Sequence, residues 1–156
     1  MMKWIRRLFI VIALIILIPD IIMLTASTFD RDIPKDIQKQ VDSGDAKMID
    51  LDEEVTIGQD EIRFKHLILS DDETTLIYEV HTEESGWSFP SGAIDLMDGK
   101  GNSYNASSGS SSGQSWGEFI IHTYKPLKDD VDTIIADFRW YDKSFQTEFS
   151  LNQEDH

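Results

Sequence analysis

The sequence predicts an all-β protein: an antiparallel sandwich of about seven or eight strands, preceded by one transmembrane helix and one short juxtamembrane helix. Three observations predict this class. An unbroken apolar run extends from Leu8 to Ile18 behind a basic N-terminus. From Met48 onward, apolar and polar residues alternate with the period of two that a half-buried strand shows. Turn residues interrupt this alternation about every 8–12 residues, as in two-sheet sandwiches.

Leu8–Ala26 is predicted to be an uncleaved transmembrane signal anchor. The segment reaches the length of about 20 mostly apolar residues that a membrane-spanning helix needs. Lys3, Arg6 and Arg7 stand before it, and short flanks rich in Lys and Arg stay in the cytoplasm. We therefore expect residues 1–7 to form a cytoplasmic basic tail and the C-terminal part to be extracytoplasmic, in a single-pass protein of the cell membrane.

The alternative interpretation is a cleaved signal peptide and a secreted domain. Leu8–Ile18 then serves as the apolar core, whose usual length is about 7–15 residues. Cleavage after Ala26 places Leu24, rather than a small residue, three positions before the cut. This mismatch favours the anchor.

Asp20 interrupts the predicted anchor directly after Pro19. A carboxylate at the centre of a bilayer costs about 2.5–3.5 kcal/mol on insertion scales. One hypothesis is that Asp20 contacts a basic residue in a partner's membrane helix. The alternative places Pro19 and Asp20 near the outer head groups, where the carboxylate stays hydrated.

Residues 27–47 are predicted to form a stalk that contains a short helix. Asp32 is suited to the N-cap, and Pro34 is tolerated in the first turn. Gly44 is a fitting residue just past the helix end. One narrow apolar stripe repeats every four residues and consists of Ile33, Ile37 and Val41.

Residues 48–152 are predicted to be the extracytoplasmic sandwich, followed by a short tail at 153–156. Alternating apolar residues identify strands near 48–57, 61–69, 75–80, 93–97, 116–124, 131–141 and 145–151, with a short return strand at Tyr104. Ser107–Ser115 contains no apolar residue and is low in complexity, so we expect a mobile loop there.

The sandwich resembles a group of extracytoplasmic immunoglobulin-like domains from Bacillus-type Gram-positive bacteria, over roughly residues 55–151. The matching segments are Ile62–Leu69, Thr75–Val80 (TLIYEV), Asp98–Tyr104 (DGKGNSY), Pro126-Leu127 and Asp132–Phe138 (DTIIADF). Some domains of this group form the outer part of membrane-bound anti-sigma factors. Those regulators carry a sigma-binding domain before the helix, whereas about seven residues precede it here. The resemblance therefore implies an immunoglobulin-like fold in the cell envelope, and not an anti-sigma activity.

The part of the chain after Ala26 is strongly acidic. The whole sequence has 14 basic and 29 acidic residues. Lys3, Arg6, Arg7 and Asp20 precede this boundary, so 11 basic and 28 acidic residues follow it, a net charge of −17. Such a domain repels nucleic acid and anionic lipid head groups, which excludes both as ligands. Basic partners, cations and simple solubility remain as interpretations.

Metal and cofactor sites find little support in the sequence. No cysteine is present, which excludes disulfides, Cys-based zinc sites and thiol catalysis. Asp95 and Asp98 begin a segment that faintly resembles a calcium loop, but it lacks regular D-x-D-x-D spacing and Lys100 falls among the expected ligands. A plain hairpin turn explains these residues equally well, and we expect no cofactor.

Trp87 and Phe89 are the candidate contact residues of the predicted extracytoplasmic domain. They lie in a loop bounded by Gly86 and Gly92, and aromatic side chains commonly anchor interfaces. The alternative is that both rings fold back and close the open end of the sandwich. Asp20 is a second candidate contact, within the membrane.

Two catalytic signatures are absent from the sequence. It has no phosphate-binding glycine loop and no H-E-x-x-H. We therefore expect a non-catalytic binding or sensing module of the cell envelope, with an envelope or membrane protein as its partner, and not an enzyme. The alternative is a carboxylate-based hydrolase that acts on cell-wall glycan, because paired carboxylates leave no sequence motif.

Overall fold

The computed structural model describes residues 33–82, 89–114, 116–128 and 130–152. The predicted cytoplasmic tail, the anchor at 8–26 and the tail at 153–156 lie outside these residues. The chain divides into two compact units, residues 1–38 and 39–156, and the second contains every described strand. Within the described ranges, no helix is both long and apolar enough to span a bilayer.

Nine strands lie in the described part of the chain. They are β1 (Ala46–Ile57), β2 (Asp60–Ser70), β3 (Thr74–Thr82), β4 (Ile94–Asp98), β5 (Ser103–Tyr104), β6 (Ala106–Gln114), β7 (Gly117–Tyr124), β8 (Thr133–Trp140) and β9 (Lys143–Ser150). A short 3₁₀ helix, Ser91–Ala93, precedes β4.

The strands form two antiparallel sheets. A five-stranded sheet has the order β1-β2-β3-β7-β6, and a four-stranded sheet has the order β5-β4-β8-β9. The chain crosses between the sheets after β3, after β5 and after β7. The predicted antiparallel β-sandwich is therefore confirmed, with one more strand than the sequence indicated.

Helix α1 (Lys35–Ser43) precedes β1. Gly44 follows its last residue with a φ of 82°, a conformation that glycine adopts without a Cβ penalty. The Gly44 amide donates to the Val41 carbonyl and the Asp45 amide donates to the Gln40 carbonyl. These two bonds form a Schellman motif, which ends the helix where the sequence predicted.

An irregularity in β2 changes which residues face the core. The register with β3 shifts between Phe64 and His66, so Lys65 is an extra residue in a β-bulge. Phe64 and Leu67 both belong to the core, whereas Ile68 lies outside the core cluster. Strict alternation would place Ile68 on the same face as Phe64, and the bulge reverses this assignment for the residues beyond it.

The core contains the inward-facing side chains of both sheets, with aromatic rings at its centre. The Phe64 ring from the five-stranded sheet meets Phe145 and Phe149 from the four-stranded sheet, at centroid distances of 6.2 Å and 5.1 Å. Phe138 stacks on Phe145 at 5.1 Å. Such tilted and offset pairs are favourable aromatic geometries. The two sheets are thus joined by direct ring-to-ring packing.

Two buried tyrosines add hydrogen bonds to this packing. The Tyr124 hydroxyl donates to the Ile94 carbonyl at 3.0 Å, from β7 to β4 in the other sheet. The Tyr78 hydroxyl donates to the Ser91 carbonyl at 3.3 Å. Burial raises the pKa of both phenols, because a phenolate in the core would lose its hydration.

Strand β6 corrects the expectation of a mobile loop at Ser107–Ser115. Residues Ala106–Gln114 pair with β7 along the whole strand and form one edge of the five-stranded sheet. Nearly all of these residues are exposed, so no hydrophobic alternation marks the strand in the sequence. The neighbouring strand β7, rather than side-chain burial, holds β6 in place.

Gly109 of β6 allows close approach to a buried histidine. It lies opposite His122 of β7, whose side chain is only 5% exposed. A Cβ atom on Gly109 would lie 2.7 Å from His122 Nε2 and even closer to Cδ2. The imidazole also makes an edge contact with the Tyr78 ring at 5.8 Å. The missing side chain at position 109 therefore makes room for this ring.

Replacing Gly109 with alanine should destabilise the domain. The added Cβ would overlap the His122 ring, and relief of such overpacking typically costs about 1–3 kcal/mol. Gly113→Ala is the matched control, because no atom lies within 4 Å of a Cβ at that position of the same strand. Urea unfolding should give a lower midpoint for Gly109→Ala than for Gly113→Ala. Equal midpoints would show that the ring is not confined by β6.

Acid should weaken the fold through His122. Burial lowers the pKa of this imidazole, and its Nδ1 has no hydrogen-bond partner. The unfolded chain therefore takes up a proton first as the pH falls below about 6.5, and stability is lost between that pH and the lower folded pKa. Above about pH 6.5 the group contributes no pH dependence.

The measurement is urea unfolding of wild type and His122→Leu between pH 7.5 and pH 5. The difference between the two free energies of unfolding should change with a slope of at most about 1.4 kcal/mol per pH unit. Wild type should lose stability relative to the variant on acidification. Parallel curves would contradict a role for this histidine.

Candidate functional site

The β8–β9 hairpin ends in a strained two-residue turn. Trp140 pairs with Lys143 across the hairpin, so Tyr141 and Asp142 form the turn. Tyr141 has a φ of 53°, a left-handed conformation that is unfavourable for a bulky side chain. Short hairpin turns place Gly or Asn at such positions. The hairpin therefore holds a tyrosine where the backbone favours glycine.

Trp140 and Tyr141 together form what we call the aromatic tip. They are 44% and 94% exposed, and no other large hydrophobic side chain of the described residues is exposed. Their ring centroids are 5.3 Å apart and the ring planes meet at 90°. The aromatic tip is thus a right-angled corner of two rings that is open to solvent.

Charged and polar side chains border the aromatic tip. Arg139 contacts the Asp137 carboxylate through Nη2 at 3.1 Å and Nε at 3.2 Å. Gln146 Nε2 donates to the same carboxylate at 3.1 Å. On the other side of the turn, Lys143 Nζ lies 3.9 Å from Asp60 Oδ2. Hydrogen-bond donors and acceptors are therefore held in place on the strands that lead into the turn, with Arg139 and Asp137 on the opposite face of β8 from Trp140.

The aromatic tip lies at the end of the sandwich opposite the start of β1. Ala46, Val131 and Leu151 line one cleft, so the start of β1, the start of β8 and the end of β9 meet at one end. The ion pair of Lys143 with Asp60, next to the β1–β2 turn, lies at the other end. Strand β8 has eight residues, which separates the two ends by about 26 Å.

Trp116 lies at the same end of the sandwich as the aromatic tip, but its ring packs against another residue of the domain. Trp116 stacks on His81, with centroids 4.3 Å apart and planes inclined by 16°. The Trp116 carbonyl also accepts a hydrogen bond from the Thr82 amide, and His81 Nε2 lies 3.4 Å from Glu79 Oε2. Trp116 is therefore held by β3 and is not part of the aromatic tip.

The predicted contact residues have different outcomes. Phe89 is only 5% exposed and stacks on Phe138 at a centroid distance of 5.0 Å, so it is a core residue and not a contact residue. For Phe89, this burial agrees with the alternative interpretation, in which the ring folds back onto the sandwich. Trp87 and Asp20 lie outside the described residues and stay predictions.

Asp98 stabilises the turn between β4 and β5. Its side chain is 2% exposed, and Oδ1 accepts hydrogen bonds from the amides of Lys100 at 3.0 Å and Asn102 at 2.8 Å. Oδ2 accepts from Asn102 Nδ2 at 2.6 Å and from the Tyr104 hydroxyl at 3.3 Å. The Asn102 side chain and these amides lower the pKa of Asp98. Both carboxylate oxygens are thus bound by the protein itself.

Asp95 does not join Asp98 in a metal site. Asp95 lies opposite Asp137 on the neighbouring strand, and the alternation of β4 places it on the other face from Asp98. Lys100 points toward Asp130, whose carboxylate and carbonyl it contacts. In the described ranges, no group of three or more His, Asp or Glu side chains is arranged to hold a metal ion. The weak calcium hypothesis therefore gains no support.

A cleft of about 390 Å³ opens at the end where β1 begins. Three carboxylates and two ammonium groups are among its lining residues, which include Asp45, Lys47, Asp71, Lys128 and Asp132. Two of these carboxylates are already bound, because Ser43 Oγ donates to Asp45 and Asn152 Nδ2 donates to Asp132. The cleft therefore offers mixed charge.

Sequence reasoning missed the aromatic tip. The alternation of β8 places Trp140 on the same face as Ile134, Ala136 and Phe138, which are buried. The available signal was the position of Trp140 directly before the turn and of Tyr141 within it, because a strand end can extend beyond the area that the opposite sheet covers.

Comparison with known protein families, with characterised proteins and with solved structures found no significant match.

Removing the Asp98 carboxylate should loosen the β4–β5 turn. Asp98→Ala leaves two backbone amides, an amide side chain and a hydroxyl without their acceptor, so its melting temperature should fall by several degrees. Asp95→Ala on the same strand is the matched control. It should melt close to wild type, because the Asp95 carboxylate lies opposite the like-charged carboxylate of Asp137.

The same melting curves test the calcium hypothesis. Millimolar calcium chloride or EDTA should leave the wild-type curve unchanged, because the oxygens of Asp98 are occupied by protein donors. A calcium-dependent rise in the melting temperature that disappears in Asp98→Ala would contradict this assignment.

Proposed function

We propose that this protein is a non-catalytic binding module of the cell envelope, held outside the membrane by the segment at 8–26. The observation that carries the binding role is the aromatic tip. Large hydrophobic side chains that are exposed together commonly mark interaction sites. Tyr141 is also held in a strained conformation, and such strain concentrates at functional sites.

The position of the aromatic tip supports this role. It projects from the end of the sandwich opposite the residue where β1 starts. The rings are therefore about the length of one strand away from the residue at which β1 starts. The net charge of −17 after Ala26 opposes binding to anionic lipid head groups, so we assign the aromatic tip to a partner other than the bilayer surface.

The strand order supports an immunoglobulin-like form of the sandwich. Immunoglobulin-type domains pair strands A-B-E-D in one sheet and C-F-G, often with C′, in the other. The orders β2-β3-β7-β6 and β5-β4-β8-β9 correspond to A-B-E-D and C′-C-F-G. In this assignment β1 is an additional strand at the edge of the first sheet, and the aromatic tip is the F–G turn.

The chain has no natural cysteine, so one introduced thiol tests both location and contact. We expect Asp142→Cys, next to the two rings, to react with a membrane-impermeant maleimide in intact cells that express the full chain. Met2→Cys, in the predicted cytoplasmic tail, should react only after the cells are opened. Labelling of Cys at position 142 only in opened cells would refute the outward orientation.

A photoreactive benzophenone maleimide on the same thiol tests the contact surface. Irradiation should join position 142 to a defined envelope component, and Trp140→Ala in the same background should reduce the yield. Asn152→Cys, at the opposite end of the sandwich, is the matched control and should give no such product. Equal products from both positions would argue against the aromatic tip as the contact.

A further inference from the structure

The chemical nature of the ligand can be inferred from the aromatic tip, on the basis that the proposed binding function is correct. Tyr141 is 94% exposed, so both faces of its ring are accessible. Trp140 stands at a right angle to it, 5.3 Å away. A planar ligand with an apolar face fits this corner, because it can lie on one ring while its edge meets the other.

The size of the aromatic tip favours a small ligand over a typical protein interface. Stable protein–protein contacts bury about 800 Å² on each partner and surround their anchors with further packed residues. Here the two rings are the only exposed large hydrophobic side chains among the described residues. One or two ring-sized groups match this area, whereas a folded partner needs a larger apolar surface.

The polar side chains next to the turn suit a ligand rich in hydroxyl groups. Arg139 precedes Trp140 in the chain, on the opposite face of β8, and is held by two contacts to Asp137, which leaves further N–H groups of its guanidinium to donate elsewhere. Asp142 adds a carboxylate acceptor in the turn itself. A hydroxyl group both donates and accepts, so it can pair with either kind of side chain.

The charge of the domain restricts the ligand further. The −17 net charge after Ala26 repels polyanions and does not penalise a neutral molecule. A pyranose ring has one apolar face of C–H groups and a rim of hydroxyls, and it is uncharged in neutral glycans. We propose that Trp140 and Tyr141 bind neutral sugar chains by stacking on their pyranose rings.

Calorimetric titration of the full chain in detergent micelles tests this proposal. The probes are chitotetraose and cellotetraose, two uncharged tetrasaccharides, with polygalacturonate as the anionic comparison. At least one neutral probe should bind saturably, and polygalacturonate should bind more weakly than the neutral probes. Trp140→Ala and Tyr141→Gly should each weaken binding about tenfold.

Tyr141→Gly separates loss of binding from loss of folding. Glycine is favoured at the positive φ of position 141, so this variant should melt at or above the wild-type temperature while it binds less sugar. Trp116→Phe is the matched aromatic control, because Trp116 stacks on His81, and its affinity should equal that of wild type.

The outcomes distinguish this inference from the proposed function. The sugar proposal is overturned if neither neutral probe binds, or if Trp140→Ala and Tyr141→Gly bind as wild type does. If the benzophenone at position 142 then still captures a protein, the binding module stands and its ligand is a protein. If position 142 captures nothing, both proposals are overturned.

Discussion

Ring-to-ring packing between the two sheets is the interaction on which the rest of the structure depends. The Phe64 ring of the five-stranded sheet contacts Phe145 and Phe149 of the four-stranded sheet. The Tyr124 hydroxyl also donates a hydrogen bond from one sheet to the other. No disulfide supports this contact in a chain without cysteine. Burial of these large rings, at about 150–250 Å² each, acts together with the aliphatic side chains of the core to hold the sheets together.

The same packing explains how the strained turn at Tyr141 is maintained. The Phe138 and Phe145 rings stack at 5.1 Å on the two strands that lead into this turn, and the Phe89 ring stacks on Phe138 from the other side. A rigid hairpin base leaves the two turn residues little freedom to relax. Strain of about 1–3 kcal/mol can persist where the surrounding structure determines the backbone in this way. The stability of the core is thus linked to the display of the aromatic tip.

The two ends of the sandwich differ in chemistry for a related reason. Strand β8 leaves the core at Trp140, so its last inward-facing ring meets solvent instead of the opposite sheet. At the other end, polar turns and loops close the sandwich, and their carboxylates are bound by neighbouring side chains such as Ser43 and Asn152. Among the residues that the structure describes, exposed large hydrophobic side chains therefore occur only at the aromatic tip, which is why it provides the binding hypothesis.

Local patterns in the sequence determined most of the strands, the helix end and the turn at Asp98. Alternation marks a strand because successive side chains point to opposite faces, and Gly44 marks a helix end because it tolerates a positive φ. The tertiary structure alone decided three features. Lys65 became an extra residue in a bulge, which reversed the faces beyond it, and bulges depend on the partner strand. Strand β6 formed because β7 offered an edge, although Ser and Gly carry no hydrophobic signal. Trp140 became exposed because alternation defines the face of a residue but not how far the opposite sheet extends to cover it.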